Sequence, residues 1–238
     1  MIKEIPILLI CLFSVAAFAK ESKTINQVSY GYLQAYWFPQ WSADGKAQSP
    51  YIMMRFFATD KANARTFYLY ESKDKQGVKD DFDEHKTKKF IKDNFKNIPE
   101  EFFKYREGHV EQAGNLVYSN LTIIHECNSK QKYVKFVSFI PNQKQTGDVT
   151  QLESQSGCNA EPYTVMFTLK EGKEPVYLKS EPSVQSKNSS NKPVELPLVK
   201  IKTVNSEWVY VALYDASKPG SRSQATGYLK LSDLDVAN

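Results

Sequence analysis

Residues that carry nucleophilic, metal-binding or imidazole chemistry are scarce in this chain. Its 238 residues include three cysteines and three histidines, which are His85, His109 and His125. No G-x-S-x-G, H-E-x-x-H, P-loop or dinucleotide-binding glycine pattern occurs in the sequence. These absences exclude the familiar signatures of hydrolases, zinc proteases and nucleotide-binding enzymes. We therefore predict a protein that is not an enzyme and that uses no cofactor and no metal, with an enzyme of unfamiliar site as an alternative.

A strong excess of charge of one sign is also lacking. The formal net charge is +4, which is too small to indicate the basic face expected of a nucleic-acid-binding domain. Beyond the first nineteen residues no long apolar run appears, whereas a membrane-spanning helix needs about 20 apolar residues. We predict no nucleic-acid partner and no stable membrane insertion of the mature chain.

The first nineteen residues have the pattern of an export signal. Lys3 gives a positive start, a mostly apolar run extends from Ile5 to Phe18, and Ala17-Phe18-Ala19 matches an A-x-A cleavage site. The apolar run is shorter than a membrane anchor. The pattern predicts cleavage before Lys20 and a periplasmic or secreted protein.

Cysteine usage is consistent with export. Cys11 lies within the predicted signal, so Cys127 and Cys158 remain as an even pair in an oxidising compartment. A disulfide between them would close a loop of roughly 30 residues and stabilise the fold by about 3–4 kcal/mol in the chain-entropy model. A metal pair lacks the C-x-x-C spacing of a zinc site. A catalytic thiol in His125-Glu126-Cys127 would require Cys127 to be free, so we predict the disulfide.

A helix is predicted after residue 80. Its start is crowded with acids (Asp80, Asp81, Asp83 and Glu84) and lysines follow toward its end, an order that suits the helix macrodipole. The acids could instead ligate calcium, but the alternating ligands and central glycine of a calcium loop are missing. Apolar residues recur at helical spacing from Phe90 to Ile98, and Pro99-Glu100-Glu101 predicts a second, short helix.

The remaining pattern predicts an α+β, mostly β chain. Runs rich in β-branched and aromatic residues predict strands within 28–70, 116–124, 133–140 and 163–169. The polar composition of 141–159 predicts a long loop. We predict three parts: a signal peptide at 1–19, an α+β domain at 20–170 whose antiparallel sheet carries one or two helices, and a small β-barrel at 173–238. The barrel follows a hinge at Lys170-Glu171-Gly172-Lys173.

The last quarter of the chain resembles a bacterial SH3-like domain. The matching residues are Tyr177-Leu178 with Glu181-Pro182-Ser183, Glu207-Trp208-Val209-Tyr210-Val211, and Gly227-Tyr228-Leu229 with Leu231 and Leu234. The resemblance implies a small SH3-like β-barrel, and domains of this kind often bind peptidoglycan or peptide segments or brace another domain. A small barrel needs a bulky aromatic in its core, which we assign to Trp208, and a glycine where the backbone turns tightly, which we assign to Gly227.

Aromatic residues are the candidate contact residues. Tyr and Trp that project together can stack on sugar rings or form the centre of an interface. Core packing is the favoured interpretation of the aromatic run from Tyr30 to Trp41, with Trp37 or Trp41 as the residue that we expect to stay exposed near Pro39. The tentative binding set is Tyr36, Trp37, Trp41, Tyr210 and Tyr228.

Two classes of function fit these observations. The first is a non-enzymatic exported binding protein of the cell envelope that recognises peptidoglycan, a cell-wall peptide or a protein partner. The second is a periplasmic immunity or inhibitor protein that acts against a secreted toxin or hydrolase, since small exported proteins without catalytic motifs suit that role.

Overall fold

The computed structural model describes residues 25–42, 46–59, 65–74, 77–79, 82–126, 128–143, 149–173 and 175–237. In agreement with the predicted class, the described chain is mostly β. The predicted signal peptide at 1–19, Asp80, Asp81 and Cys127 lie outside the described residues, and Cys158 is described by its backbone alone. The predicted signal, calcium alternative and disulfide therefore stay predictions.

The first sheet closes on itself. Its strand order is β1-β2-β3-β7-β6, and β6 pairs back to β1 to complete a barrel. The strands are β1 (Gln27–Trp41), β2 (Ala47–Ala58), β3 (Arg65–Tyr70), β6 (His109–Glu126) and β7 (Ser129–Pro141).

One pairing in this barrel departs from the predicted antiparallel sheet. Strands β3 and β7 run parallel, with Phe67 opposite Lys132, while the other pairings are antiparallel. A parallel pairing needs a long crossover connection. That connection is built from a two-stranded hairpin, β4 (Ser72–Asp74) and β5 (Gly77–Lys79), followed by two helices and β6.

The two predicted helices are present and pack against the barrel core. Helix α1 spans Glu84–Asn94, and its N-terminus is capped by Asp83, whose side chain accepts the backbone N–H of Lys86 at 2.8 Å. Helix α2 spans Glu100–Lys104 after Pro99. Both helices contribute to the core that fills the barrel, α1 through Ile91 and α2 through Phe102, together with Phe95 directly after α1. They join Leu33, Trp37, Phe56 and Val134.

The segment predicted as a loop at 141–159 folds in its second half. Helix α3 (Thr150–Glu153) continues into a 3₁₀ turn at Ser154–Asn159. Glu153 and Ser156 are buried, and Glu153 contacts side chains of β1 and β2. Residues 149–163, which we call the strap, therefore cover the outer wall of the barrel. The polar, turn-rich composition predicted a long loop because composition does not reveal that some of these polar groups have buried partners.

The second sheet is five-stranded and antiparallel, in the order β11-β10-β9-β8-β12. Its strands are β8 (Met166–Leu169), β9 (Leu198–Thr203), β10 (Trp208–Tyr214), β11 (Arg222–Lys230) and β12 (Leu234–Val236). Strand β8 was predicted to close the first domain, yet it pairs with β9 and β12. The hinge predicted at 170–173 thus lies between β8 and β9, two paired strands of the second sheet.

The core of the second sheet is mostly aliphatic, with Phe167 as the buried aromatic residue of the described cluster. It contains Val209, Val211 and Leu229 with Leu178 and Leu198 around them. Trp208 is buried but lies one position from Val209, on the opposite face of β10. The assignment of Trp208 as the aromatic centre of this core is therefore wrong.

Gly227 is required for a reason other than a tight turn. It lies within β11, opposite Val211. A Cβ at this position would come within 2.7 Å of the Leu178 Cβ and 2.8 Å of the Lys179 carbonyl oxygen. The glycine lets the segment at 178–179 approach the strand closely.

Candidate functional site

The structure separates the five predicted contact residues. Tyr36 and Trp37 are both 1 % exposed. Trp37 packs on Phe102 at 5.9 Å between ring centroids, and the Arg106 guanidinium lies 5.3 Å from its ring. Of the two residues of which one was expected to stay exposed, Trp37 lies in the core, because its strand position points into the barrel, where the helices cover it, and Trp41 is half-buried.

Trp41 lies at a cleft between the barrel and the second sheet. It is half-buried at the end of β1, opposite Ala47 of β2. The cleft has a volume of about 270 Å³. Its walls also include Tyr105 of the α2–β6 connection, Tyr163 of the strap, and Phe167 and Val236 of the second sheet.

Tyr210 and Tyr228 face each other across β10 and β11. They are directly paired in the strand register, and their ring centroids are 4.7 Å apart. The Tyr210 hydroxyl is 2.7 Å from the Thr226 hydroxyl. Both tyrosines are half-buried, so part of each ring is accessible to a partner.

Lysines extend this pair in a row across the sheet. Lys202 of β9 is paired with Tyr210, and Lys179 is bridged to Tyr228. Residues that are directly opposite in neighbouring strands project from the same face. Lys230 lies two residues from Tyr228 on that face, with its ammonium 5.9 Å from the Trp208 ring. We call the five residues Lys179, Lys202, Tyr210, Tyr228 and Lys230 the tyrosine–lysine face.

Two hollows border this face. One, of about 130 Å³, lies beside Val176, Tyr177 and Trp208. The other, of about 230 Å³, lies between α2 and β9 and is lined by Glu100, Glu101, Lys104, Lys202 and Thr203. Tyr228 borders both. An aromatic surface thus meets a groove that offers hydrogen-bond donors and acceptors together.

A buried polar network that the sequence did not indicate lies under the strap. Arg55 is fully buried, forms an ion pair with Glu153 at 3.3 Å, and donates from Nε to the Gln34 Oε1 at 2.6 Å. It also donates to the carbonyl oxygens of Asn159 and Ala160. Arg55 stands between Met54 and Phe56, and no local signal distinguishes a buried arginine of this kind from an exposed one.

Burial raises the pKa of two side chains in and beside this network, Tyr163 and Glu111. Burial raises the pKa of Tyr163, as does the adjacent Glu153 carboxylate, so the hydroxyl stays protonated and donates to Glu153 at 2.7 Å. Burial also raises the pKa of the Glu111 carboxyl, although the imidazole of His109 acts in the opposite direction. The His109 Nε2 lies 3.1 Å from Glu111 Oε1.

Three of these residues could offer ligand atoms to a metal. The side-chain donors of His109, Glu111 and Glu153 lie within 4.8 Å of one another. The Gln34 amide already donates to both carboxylates, at 2.9 Å and 2.6 Å, and Arg55 neutralises Glu153. Both carboxylates are therefore satisfied by protein groups, while the buried His109 Nδ1 has no hydrogen-bond partner among the described residues. The contacts of Glu153 with Gln34 and Arg55 hold the strap against the barrel.

No known protein family, curated protein or solved structure matches this chain. The SH3-like resemblance therefore stays a prediction from the quoted residues. Among the described residues, no helix combines the length and apolar character needed to cross a bilayer.

Proposed function

We propose that this protein is a non-enzymatic, exported binding protein of the cell envelope that recognises peptidoglycan. The observation that carries the proposal is the tyrosine–lysine face, where Lys202, Tyr210, Tyr228 and Lys179 form a row across neighbouring strands beside a polar groove.

The chemistry of the face suits a polymer of sugars and short peptides. Tyrosine rings offer apolar surface for the C–H face of a sugar and a hydroxyl for a hydrogen bond. Glu100, Lys104 and Thr203 in the adjoining groove supply acceptors and donors for sugar hydroxyl and amide groups. The lysines of the row complement the carboxylates of wall peptides.

The topology of the second sheet supports the SH3-like part of the proposal. Five short strands follow one another, and the first, β8, pairs with both the second, β9, and the last, β12. A 3₁₀ turn at Leu231–Asp233 leads into the last strand. We propose that this unit is a small SH3-like barrel that begins at Met166, and that the closed barrel before it orients the tyrosine–lysine face.

Co-sedimentation with purified peptidoglycan sacculi tests this function. The wild-type protein should sediment with sacculi and should be released by soluble wall fragments. Tyr228→Ala should weaken binding at least about tenfold, as expected of a central aromatic contact. Tyr214→Ala is the matched control, because Tyr214 is a 42 % exposed tyrosine at the other end of β10, where it pairs with Arg222. Equal sedimentation of the two variants would refute the assignment.

A second candidate, a periplasmic immunity or inhibitor protein, is favoured by an apolar patch on the barrel wall. Val28 and Ile140 are 62 % and 59 % exposed. Their register partners on β6 are Val117 and Asn115, two residues apart, so both side chains lie on the outer face of the same three strands. Exposed apolar patches mark protein interfaces. This candidate would be favoured if the wild-type protein captured a single envelope protein but did not bind sacculi. The Ile140→Lys variant should then lose that capture.

A further inference from the structure

The cleft between the barrel and the second sheet is a separate site from the tyrosine–lysine face. Its walls are mainly apolar and aromatic, with Trp41 and Pro39 from β1 on one side and Phe167 and Val236 from the second sheet on the other. At about 270 Å³ it is slightly smaller than the pockets of roughly 300–1,000 Å³ that hold drug-sized ligands. Its size suits one small molecule.

The charged groups at the cleft are already paired with one another. Lys200 lies 2.5 Å from the Glu107 carboxylate, which also accepts the backbone N–H of Thr203 at 2.6 Å. Arg106 pairs with Glu84 and donates to the Ser49 hydroxyl at 2.7 Å. A charged ligand would have to displace one of these partners, so the cleft favours an uncharged molecule.

Two hydrogen-bond donors beside the cleft have no acceptor among the residues that the structure describes. Trp37 and Trp41 both border it. Within the described part of the chain, the buried indole Nε1 atoms of both residues have no hydrogen-bond partner. A buried donor without an acceptor costs free energy, and most such groups in proteins are satisfied. An acceptor supplied by a ligand would satisfy the donor.

We propose that this cleft binds a small, uncharged, largely apolar molecule that carries a carbonyl or a similar hydrogen-bond acceptor. The indole N–H of Trp41 donates a hydrogen bond to that group. Trp41 is the donor assigned because it is half-buried at the end of its strand, whereas Trp37 is enclosed in the barrel core. The site joins the two sheets, so a bound ligand would contact both.

The naphthyl ketone Prodan is a suitable probe, because it is uncharged, aromatic and carries one carbonyl. Titration of Prodan with the purified protein should show saturable binding at one site, with emission shifted to shorter wavelength by the apolar walls. 2-(Dimethylamino)naphthalene, which lacks the carbonyl, should bind more weakly. A non-saturable signal, or tighter binding of an anionic naphthalene sulfonate than of Prodan, would overturn the proposal.

Two substitutions locate the probe. Ala47→Phe adds a ring to the cleft from an exposed strand position opposite Trp41 and should weaken Prodan binding at least tenfold. Ala225→Phe makes the same change at an exposed position of β11 that does not line the cleft, and should leave binding unchanged. Equal Prodan binding by both folded variants would place the probe elsewhere.

Trp41→Phe tests the hydrogen bond itself. It also provides a test of the cleft if Ala47→Phe does not fold. It keeps an aromatic ring but removes the N–H, so the dissociation constant for Prodan should rise about 3- to 10-fold. The dissociation constant for the carbonyl-free probe should not change. An unchanged Prodan affinity would refute the donor assignment. None of these variants alters the tyrosine–lysine face, so sacculus binding reports on the proposed function independently.

Discussion

Removing the Arg55 side chain should destabilise this protein more than most single substitutions. Arg55 is fully buried, and its guanidinium forms an ion pair with the Glu153 carboxylate. It also donates hydrogen bonds to the Gln34 amide oxygen and to two carbonyl oxygens of the strap. Replacement by Met retains an apolar stem between Phe57 and Tyr36, whose rings lie 4.8 Å and 5.4 Å from the guanidinium. It leaves the Glu153 charge buried without its cation.

The expected loss is about 3–5 kcal/mol, since that is the usual result when one partner of a buried ion pair is removed. With a urea m-value of about 2 kcal/mol/M, the unfolding midpoint should fall by about 2 M. The assay is urea unfolding followed by tryptophan fluorescence and by far-ultraviolet circular dichroism, with the two probes required to agree.

A double-mutant cycle separates the pair from simple packing. Arg55→Met with Glu153→Leu should cost less than the two single changes together, by about 2–3 kcal/mol, because the double variant leaves no unpaired charge. The matched control is Lys89→Met, which removes an exposed ion pair with Asp93 and should leave the midpoint nearly unchanged. A loss under about 1 kcal/mol for Arg55→Met, or strictly additive costs, would refute the view that this network holds the strap.

Three further predictions follow from burial and close packing. Burial raises the folded pKa of Glu111 above its usual value of 4.5. The free energy of unfolding of the parent, relative to that of Glu111→Gln, should therefore be greatest below about pH 4.5 and should fall as the pH rises through the raised pKa. Urea midpoints of both proteins across pH measure this difference, and a difference that does not change with pH would contradict the prediction. Gly227→Ala should cost at least about 1–3 kcal/mol, since its Cβ would overlap the Leu178 Cβ and the Lys179 carbonyl; an unchanged melting temperature would show that the segment moves away. Trp37→Ala should cost about 3–5 kcal/mol, because Trp37 is a barrel core residue, and a fully stable variant would disprove that placement.

The features of this fold that depend on residues close together in the sequence could be predicted from the sequence. The acids before residue 85, the lysines after it and the apolar spacing from Phe90 predicted α1, and Asp83 caps it. The β-rich runs predicted most strands, because alternation is a property of the strand itself. Pro99 marked the start of α2. The mostly β class followed from these local signals.

The candidate sites required the tertiary structure. Alternation along β10 divides Trp208 and Tyr210 from Val209 and Val211, but it does not say which set faces the core. That choice depends on what the other elements place over each face. The aliphatic side chains of the second sheet were packed together, and the tyrosines were left beside the lysines and the groove.

What the sequence by itself determined was the local conformation of the elements and, as predictions, export and the lack of familiar catalytic motifs. Only the tertiary structure decided that β3 pairs in parallel with β7, that β8 belongs to the second sheet, and that Arg55 meets Glu153 across 98 positions. The physical reason is that periodicity and capping are set by residues a few positions apart. A buried ion pair, a strand partner and a cleft between sheets depend on groups that come together only when the whole chain has packed.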